Sequence, residues 1–415
     1  MRCVRPGRID GACVAPPSKS ALQRAIAVAT LAAGRSRIAF SGLCDDAAAA
    51  LRAARALGAG VVENDGGVEI AGGGRPTGEP LDCGESGLSL RLFTAVSALF
   101  DTELELLARG TLVRRSAAMV EAPLRALGAR CSTSGGFPPI RVRGPIRGGE
   151  VAVDGRDSSQ LLTGLLIALP LCREDSVVSC PGLASKPYVA MTMETLARFG
   201  VRVEADAALE RFHIRGGQRL APAELRMEGD WSGAAFMLVA GAIAGAVAVT
   251  GLDLESRQAD RAVLDALRAA GAHCRAASDA VRVERGELRA FEFDAGHCPD
   301  LFPPLAVLAA YCEGESVLHG AARLVGKESD RRAVLVDELG GLGLAIRADG
   351  DVMRIRGGAL RGGRVDSRGD HRIAMAAAVA ALGAAAPLQI EGEACVSKSY
   401  PRFFADLGGM GVCVS

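Results

Sequence analysis

ALGAGV, at residues 56–61, is the first of six similar short stretches, each of which ends a helix-like segment with a glycine turn and enters a strand. The others are ALGARC (126–131), RFGVRV (198–203), AAGAHC (269–274), GLGLAI (341–346) and GMGVCV (409–414). By subtraction of neighbouring residue numbers, their turn glycines lie 70, 72, 71, 72 and 68 residues apart. Glycine suits a helix end that needs a left-handed residue. This regular spacing predicts six copies of one supersecondary unit.

Each copy reads as helix, strand, helix, strand, strand. The first helix of each copy is apolar and rich in alanine, as in ALQRAIAVATLAAG (21–34) and RIAMAAAVAALG (372–383). Helices that alternate with strands predict an α/β protein. A chain of 415 residues is too long for one ordinary core, so two large domains, or a repeat architecture, are expected.

The chain ends suggest how the six copies divide. The sixth copy stops at Ser415, one strand short of the others, and the N-terminal stretch RCVRPGRIDGACVAP has strand character. The simplest interpretation is that the N-terminus completes the last copy. We therefore expect a discontinuous domain of residues 1–17 and 229–415 and a continuous domain of residues 18–228, with three copies in each. The crossings near Pro17 and Gly229 would form a hinge.

Composition excludes several classes of protein. The 48 basic residues equal the 48 acidic ones, which argues against a general nucleic-acid binder. No long apolar run predicts a membrane span, and the N-terminus has no apolar signal core, so we expect a cytoplasmic protein. The 12 cysteines form no C-x-x-C pair or zinc-like cluster, and no HExxH is present. We expect reduced thiols, no metal and no cofactor.

Only four of the basic residues are lysines, and each lies within two residues of a serine: Lys19, Lys186, Lys327 and Lys398. A sequence that otherwise uses arginine keeps lysine where a compact ammonium is needed. Chance placement is the alternative, but four similar settings favour a functional role.

Polar residues and cations gather where the helices are predicted to begin. Free N–H groups and the positive helix end make such positions good anion sites. Ordinary N-caps explain Asp45–Asp46, Asp230 and Ser256. They do not explain cations, which are unfavourable at a helix N-terminus unless something negative compensates. The sequence therefore predicts an anionic ligand near seven cations: Lys19, Arg24, Arg115, Lys327, Arg331, Arg372 and Lys398.

These polar stretches resemble, in order, the motifs of the 3-phosphoshikimate 1-carboxyvinyltransferases, or EPSP synthases. They are PSKSALQR (17–24), GESGLSLR (84–91), DGRDSSQ (154–160), ASKPY (184–188), KESDR (327–331), GDHR (369–372) and SKSYP (397–401). The resemblance covers nearly the whole chain. It implies the enolpyruvyl transferase fold, an inside-out α/β barrel of two domains, each of three βαβαββ repeats, with the active site in the interdomain cleft.

The resemblance also implies the reaction and its partners. The enolpyruvyl group of phosphoenolpyruvate would pass to the 5-hydroxyl of shikimate 3-phosphate by addition and elimination, in the shikimate pathway that leads to chorismate and the aromatic amino acids. The two substrates bring two phosphates and two carboxylates together, which requires several fixed cations. No nucleic acid and no membrane are expected as partners, and we expect a monomer.

Site residues follow from the matched motifs. The shikimate 3-phosphate site would comprise Lys19, Ser20, Arg24, Ser158, Ser159, Gln160, Ser185, Tyr188, Asp300 and Lys327. The phosphoenolpyruvate site would comprise Lys19, Gly87, Arg115, Gln160, Arg331, Arg372 and Lys398.

Three residues are candidates for proton transfer. Asp300 would remove the hydroxyl proton, and Glu328 would deliver and recover the proton at C3. Lys19, together with Lys398, would donate to or stabilise the leaving phosphate oxygen. A helix cap is the alternative for Asp300. The sequence does not decide which of these groups moves which proton. His371, beside Arg372, is interpreted as a positioning group.

The chain departs from the family pattern at Glu85, Leu92, Arg323 and Val325. These departures bear on inhibitor sensitivity and ligand affinity more than on the reaction class.

Two other functions remain open. A sister enzyme that transfers enolpyruvyl to UDP-N-acetylglucosamine typically has Lys-Asn in its first motif and a cysteine in the loop before the arginine. This chain has Lys19-Ser20, and residues 110–116 contain no cysteine. A non-catalytic phospho-ligand binding protein is the second alternative, against which the retention of Asp300 and Glu328 argues.

Overall fold

A computed structural model of the chain describes residues 1–156 and 158–415. The chain divides into two units. Unit 1 comprises Met1–Pro16 and Glu228–Ser415, and unit 2 comprises Pro17–Met227.

The strands, in chain order, alternate with single helices and with hairpins. They are β1 (Arg2–Val4), β2 (Ile9–Val14), β3 (Gly34–Ala39), β4 (Gly60–Asn64), β5 (Gly67–Gly72), β6 (Leu81–Asp82), β7 (Leu104–Leu107), β8 (Arg130–Ser134), β9 (Phe137–Arg143), β10 (Gly149–Ala152), β11 (Ser176–Ser179), β12 (Glu204–Ala205), β13 (Arg211–Ile214), β14 (Glu224–Arg226), β15 (Gly245–Thr250), β16 (His273–Ala277), β17 (Ala280–Glu284), β18 (Glu292–Asp294), β19 (Glu315–His319), β20 (Ala345–Asp349), β21 (Val352–Arg356), β22 (Gly363–Asp366) and β23 (Leu388–Glu391).

Two α-helices belong to each repeat. They are α1 (Lys19–Leu31), α2 (Asp45–Ala56), α3 (Gly87–Ser97), α4 (Glu121–Ala126), α5 (Gln160–Ala168), α6 (Lys186–Arg198), α7 (Trp231–Ala244), α8 (Val263–Ala269), α9 (Phe302–Ala310), α10 (Arg331–Gly341), α11 (His371–Ala380) and α12 (Phe403–Gly409). Short 3₁₀ segments occur among them, of which Gly110–Arg114, Pro299–Leu301 and Glu393–Lys398 bear on the site.

The strands of the described residues form six sheets, three in each unit, and all follow one pairing rule. In the order β6-β7-β9-β8, the pair β6 and β7 is parallel, and the other neighbours are antiparallel. The sheets β14-β3-β5-β4 and β10-β11-β13-β12 complete unit 2. A parallel pair needs a crossover helix, and the antiparallel pairs need only a short turn, so the rule reproduces the βαβαββ order.

In unit 1 the N-terminus supplies strands to two different sheets. β2 runs parallel to β15, with Ile9 opposite Gly245, in the sheet β16-β17-β15-β2. β1 pairs antiparallel with β23 in the sheet β1-β23-β22, and Val4 also bridges Val414. The remaining sheet is β18-β19-β21-β20. The last repeat is thus closed by the first strand of the chain.

The first helix of each repeat is the buried one. Every residue of α3, α7, α9 and α11 is buried, and α1 and α5 are buried except near their ends. The second helices, such as α2 and α10, alternate buried and exposed residues, which is the pattern of a surface helix. Alanine and glycine let the inner helices approach closely. A side chain at Gly164 of α5 would lie 2.8 Å from Ala95 Cβ of α3.

The six turn glycines all adopt left-handed conformations, with φ from +83° at Gly200 to +95° at Gly128 and Gly343. At the end of α2, for example, Leu57 is the C-cap and Gly58 follows with φ +89°. The predicted role of these glycines is confirmed, and so are the α/β class and the repeated unit.

Candidate active site

Unit 2 carries ten of the predicted site residues, most of them where inner helices begin. Ser18 caps α1 by accepting a hydrogen bond from the Ala21 N–H at 3.4 Å, which places Lys19 and Ser20 in the first turn. The Lys19 Nζ lies 3.1 Å from Asp46 Oδ2 at the start of α2. Asp46 is buried, so sequence analysis, which interpreted it as an ordinary cap, missed this contact.

Arg24 lies one turn further along α1 and is buried among neutral acceptors. Its Nε donates to Thr192 Oγ1 at 2.9 Å and its Nη1 donates to Ser20 O at 2.8 Å. The guanidinium carbon lies 5.8 Å from the centre of the Tyr188 ring. Burial lowers the pKa of Arg24 to about 10, and the Tyr188 hydroxyl opposes that shift. No carboxylate of residues 1–156 or 158–415 forms an ion pair with Arg24, so an anion here would meet an uncompensated buried cation.

Ser185 precedes α6 in a strained conformation. Its φ is +56° and its ψ is 41°, the left-handed region that a residue with a Cβ seldom occupies. The side chain is buried, and Tyr188 follows in the first turn of α6. Such strain costs about 1–2 kcal/mol and persists at binding sites where the rest of the structure enforces it.

The start of α5 joins that of α3 through an arginine. The Ser158 Oγ accepts from Gln160 N at 3.2 Å, and buried Ser159 is the N-cap. The Gln160 Oε1 accepts from Arg91 Nη1 at 2.9 Å, and Arg91 Nη2 donates to Ser116 O at 2.7 Å. Arg91 ends the motif GESGLSLR but was not among the predicted site residues.

Two guanidinium groups lie against Gly87, the first residue of α3. A Cβ at Gly87 would lie 3.0 Å from both Arg91 Nη1 and Arg115 Nη1. Arg115 follows the 3₁₀ segment Gly110–Arg114, next to Ser116, whose carbonyl Arg91 contacts. A side chain here would therefore crowd both guanidinium groups and shift them by a few tenths of an ångström.

Gln23 connects α1 to α3 and was missed by sequence analysis. Its Oε1 accepts from Ser86 Oγ at 2.7 Å and from Ser89 Oγ at 2.8 Å, and all three side chains are buried. A buried amide with satisfied partners fixes the relative placement of its two helices. The motif PSKSALQR contains this glutamine, but no local pattern indicates its partners.

Unit 1 carries the other six predicted residues, and Arg331 lies at their centre. It is the first residue of α10, only 1% exposed, and contacts three carboxylates. Its Nε donates to Asp370 Oδ2 at 2.7 Å, its Nη1 to Asp300 Oδ1 at 2.8 Å, and its Nη2 to Glu328 Oε2 at 2.7 Å. These carboxylates raise the pKa of Arg331 even though burial opposes them.

Asp300 holds two arginines. Its second oxygen, Oδ2, accepts from Arg372 Nη2 at 2.8 Å. Asp300 lies in the 3₁₀ segment Pro299–Leu301, and Arg372 lies in the first turn of α11. The Arg372 Nε and Nη1 atoms are buried, and no described group accepts from them. The arrangement therefore retains donors for an additional anion.

Glu328 lies between two cations. Besides Arg331 it contacts Lys398, whose Nζ is 3.6 Å from Glu328 Oε1, and both side chains are at most 10% exposed. Both cations therefore form ion pairs with this carboxylate. At neighbouring Lys327, burial lowers the pKa to about 8, and the negative charge of Asp300 opposes that shift.

Asp370 organises this cluster and was absent from the predicted set. It is the N-cap of α11, wholly buried, and its Oδ1 accepts from Arg372 N at 3.0 Å. The same carboxylate also accepts from Arg331 and, at 3.1 Å, from Ser329 Oγ. His371 is wholly buried beside it, with Nδ1 3.8 Å from Asp370 Oδ1. Its role as a positioning group stays a prediction.

The expectation that seven cations begin helices is correct for three of them. Lys19, Arg331 and Arg372 lie in first helical turns. The other four do not. Arg24 lies in the second turn of α1, and Lys327 precedes α10. Arg115 follows one 3₁₀ segment, and Lys398 ends another. The chain also compensates the three first-turn cations with its own carboxylates, so their positions do not by themselves require a ligand.

The described residues contain neither a membrane-spanning helix nor a metal-binding cluster. In residues 1–156 and 158–415, no helix combines the length and the apolar character needed to cross a membrane. In the same residues, no three His, Cys, Asp or Glu side chains are grouped so as to hold a metal ion.

The match to known proteins covers nearly the whole chain. The family described as EPSP synthase (3-phosphoshikimate 1-carboxyvinyltransferase) matches residues 4–407. The chain belongs to the EPSP synthase family. The resemblance drawn from the seven motifs is thereby confirmed.

Individual relatives agree with this family. The 3-phosphoshikimate 1-carboxyvinyltransferase of Aeropyrum pernix is 41% identical over 412 residues, which cover 99% of this chain and 96% of that protein. The enzyme of the same name from Thermococcus kodakarensis is 40% identical over 411 residues, covering 97% and 98%. A solved EPSP synthase from Acinetobacter baumannii is 27% identical, with a TM-score of 0.84 and coverage of 100% and 99%. The two-domain enolpyruvyl transferase fold predicted from the sequence is confirmed.

The departures from the EPSP synthase pattern lie in different surroundings. Leu92 is fully buried in α3, whereas Val325 is 51% exposed. Arg323 donates from Nη1 to Gly296 O at 2.9 Å. The Glu85 Oε2 accepts from Thr111 Oγ1 at 3.2 Å, which ties the start of α3 to the segment that leads to Arg115.

Proposed function

We propose that the two groups of side chains serve one reaction, the transfer of enolpyruvyl from phosphoenolpyruvate to shikimate 3-phosphate. Membership of the EPSP synthase family supports the reaction. The proposed site rests on one observation. In unit 1, buried carboxylates surround Arg331. Unit 2 contains Lys19, Arg24 and the two guanidinium groups that lie against Gly87.

Unit 2 is proposed to hold the acceptor. Arg24 offers a buried charge to the phosphate of shikimate 3-phosphate, and Ser158, Ser159 and Ser185 offer hydroxyl groups beside helix starts. Lys19, Gly87, Arg115 and Gln160 would contribute to the phosphoenolpyruvate site. The backbone N–H groups at the start of α3 and the two guanidinium groups at Gly87 suit an anion.

Unit 1 is proposed to supply the proton transfers. Asp300 would accept the proton of the attacking 5-hydroxyl, and Lys327 would orient the acceptor hydroxyls. Glu328, held between Arg331 and Lys398, would carry the proton to and from C3 of phosphoenolpyruvate. The same cations would stabilise the phosphate and carboxylate charge during addition and elimination. Both units would thus contribute residues to this chemistry.

Lys19 would act on the leaving group. Its ammonium, held 3.1 Å from Asp46 Oδ2 at the start of α1, would donate to the phosphate oxygen. As phosphate departs from the tetrahedral adduct, negative charge develops on that oxygen. A fixed ammonium stabilises this charge without reorganisation.

We further propose that the enzyme acts as a monomer in the cytoplasm. Charged, phosphorylated substrates do not cross a bilayer unaided, so the enzyme must lie in the compartment that makes them. Light scattering after size exclusion should give a mass near the 42.7 kDa of one chain, and a value near twice this mass would contradict the monomer. Activity recovered in the membrane fraction or outside the cell would contradict the compartment.

The function is tested by phosphate release from phosphoenolpyruvate with each acceptor in turn. Release with shikimate 3-phosphate alone is the expected result. Release only with UDP-N-acetylglucosamine would assign the sister reaction. Tight binding of shikimate 3-phosphate without turnover would assign a binding protein instead. Glu255→Gln, an exposed carboxylate of unit 1 outside the site, serves as a variant control.

A further inference from the structure

Two adjacent carboxylates at the start of α2 have opposite surroundings. Asp45 is exposed, as expected for an acidic residue in a first helical turn, whereas only 4% of Asp46 is exposed. The N-cap of α2 is Cys44, and its side chain makes no cap hydrogen bond, so neither aspartate is the capping residue. The helix dipole explains an acidic residue here, but it does not explain why one carboxylate is buried.

Asp46 is buried against the ammonium group of Lys19. The Lys19 Nζ and Asp46 Oδ2 atoms are 3.1 Å apart, and the two side chains are 14% and 6% exposed. The second oxygen, Asp46 Oδ1, is buried without a hydrogen-bond partner among the described residues. An unsatisfied buried carboxylate oxygen costs stability, so its retention calls for an explanation beyond folding.

The two partners are held rigidly from both sides. Lys19 is the first residue of α1 and Asp46 the second of α2, and these helices pack against each other. The start of α1 disfavours a cation, whereas the start of α2 favours an anion. The carboxylate therefore compensates the unfavourable position of the ammonium and fixes where the ammonium lies.

We propose that Asp46 is a positioning residue that holds the Lys19 ammonium toward the phosphoenolpyruvate phosphate. This role rests on the proposed function, in which Lys19 stabilises the leaving phosphate oxygen. Asp46 acts through Lys19 and does not touch the substrates. The unpartnered Oδ1 gives the ammonium a second acceptor when Nζ moves with the departing phosphate.

The first experiment separates positioning from binding by steady-state kinetics of Asp46→Asn, with the exposed neighbour Asp45→Asn as the matched control. Asp46→Asn should lower kcat by about tenfold to 100-fold, because a misplaced catalytic group costs rates of this order. The KM for shikimate 3-phosphate should stay within about twofold, because Arg24 and Ser185 are intact. Asp45→Asn should match the wild type. An unchanged kcat in Asp46→Asn would overturn the proposal.

The second experiment is a thermal double-mutant cycle that needs no activity. Lys19→Met leaves the Asp46 carboxylate buried and unpaired, which should lower Tm by about 5 °C or more. Adding Asp46→Asn to Lys19→Met should recover most of that loss, because the unpaired charge is gone. Strictly additive changes in Tm would show that the two side chains are not coupled and would overturn the proposal.

The outcomes distinguish this inference from the function on which it rests. If the wild type released no phosphate with shikimate 3-phosphate, the proposed function would fall and this role with it. If the wild type were active and Asp46→Asn equally active, only the role of Asp46 would fall.

Discussion

Replacing Asp260 with asparagine should stabilise unit 1 more at pH 8 than at pH 4. Asp260 is fully buried, and its Oδ2 accepts a hydrogen bond from the buried Ser232 hydroxyl, while its Oδ1 lacks a partner among the described residues. Burial raises the pKa of Asp260 to about 7, and the negative charge of Asp300 adds to this effect. Arg372 and the Ser232 hydrogen bond oppose the shift, and Asp230 adds weakly to it.

The sign follows from the proton count of each state. An unfolded aspartate has a pKa near 3.8, so between about pH 4 and pH 7 the folded protein binds a proton that the unfolded chain has lost. The free energy of unfolding therefore falls as pH rises through this window. A difference of about three pKa units corresponds to about 4 kcal/mol. Asparagine does not titrate, so the variant escapes this loss.

The assay can follow unit 1 alone, because the chain has a single tryptophan, Trp231, which is fully buried next to Ser232. Urea unfolding monitored by tryptophan fluorescence should be measured at pH 4, 5, 6, 7 and 8. The free energy of unfolding of Asp260→Asn minus that of the wild type should rise by about 4 kcal/mol across this range. The new amide can leave one N–H unsatisfied, which shifts the difference by about 1–3 kcal/mol at every pH alike.

The control variant is Asp265→Asn, whose side chain is 75% exposed and, among residues 1–156 and 158–415, pairs with Arg268. Its difference from the wild type should stay nearly constant with pH. If the Asp260→Asn difference were equally flat, Asp260 would titrate in the folded protein as it does in the unfolded chain, and the reasoning would be refuted.

Three further predictions concern the site. Glu328→Gln should leave the affinity for shikimate 3-phosphate, measured by calorimetry, nearly intact. It should lower turnover by roughly 100-fold or more, which is the scale of acid–base catalysis. Unchanged turnover would remove Glu328 from the mechanism. The pKa of Lys327 is lowered to about 8, so at pH 8.5 much of this side chain is neutral. A nearby anionic acceptor should raise the pKa of Lys327, so binding of the acceptor at pH 8.5 should be accompanied by proton uptake. This uptake would appear as a dependence of the binding enthalpy on buffer ionisation, and its persistence in Lys327→Met would assign it to another group. Small-angle scattering should show a smaller radius of gyration with shikimate 3-phosphate than without, because an anion that binds cations of both units would draw them together, and identical profiles would contradict this prediction.

The repeat was predictable because its signals are local. Each turn glycine ends a helix within its own copy, and a left-handed residue is needed there whatever the rest of the chain does. The burial of the first helices was equally predictable, since α7 and α9 consist almost entirely of apolar residues. The family resemblance marked Arg331, Asp300 and Glu328 as site residues, and in the structure Arg331 contacts both carboxylates.

Pairing between copies was not predictable, because it depends on which helix start meets which. Asp370 lies 39 residues from Arg331. Nothing in the motif GDHR indicates that the Asp370 carboxylate both caps α11 and binds the arginine at the start of α10. Asp45 and Asp46 are adjacent aspartates that the sequence alone does not distinguish. Only the packing of α2 against α1 buries Asp46 and leaves Asp45 exposed. Gln23, 63 residues from Ser86, is another such case.

The two groups of cations differ in how they are compensated before any substrate arrives. Arg331 has three carboxylate partners and Arg372 has one, so an anion approaching unit 1 must share these cations with aspartate and glutamate. Arg24 in unit 2 has hydroxyl and carbonyl partners, and its lowered pKa shows that burial outweighs them. A phosphate that reaches Arg24 therefore supplies the opposite charge that the described residues do not provide, whereas at Arg331 it adds to charges already balanced. The free-energy gain from a first anion is accordingly expected to be larger at Arg24 than at Arg331, and Arg24 is the side chain that we propose for the acceptor phosphate.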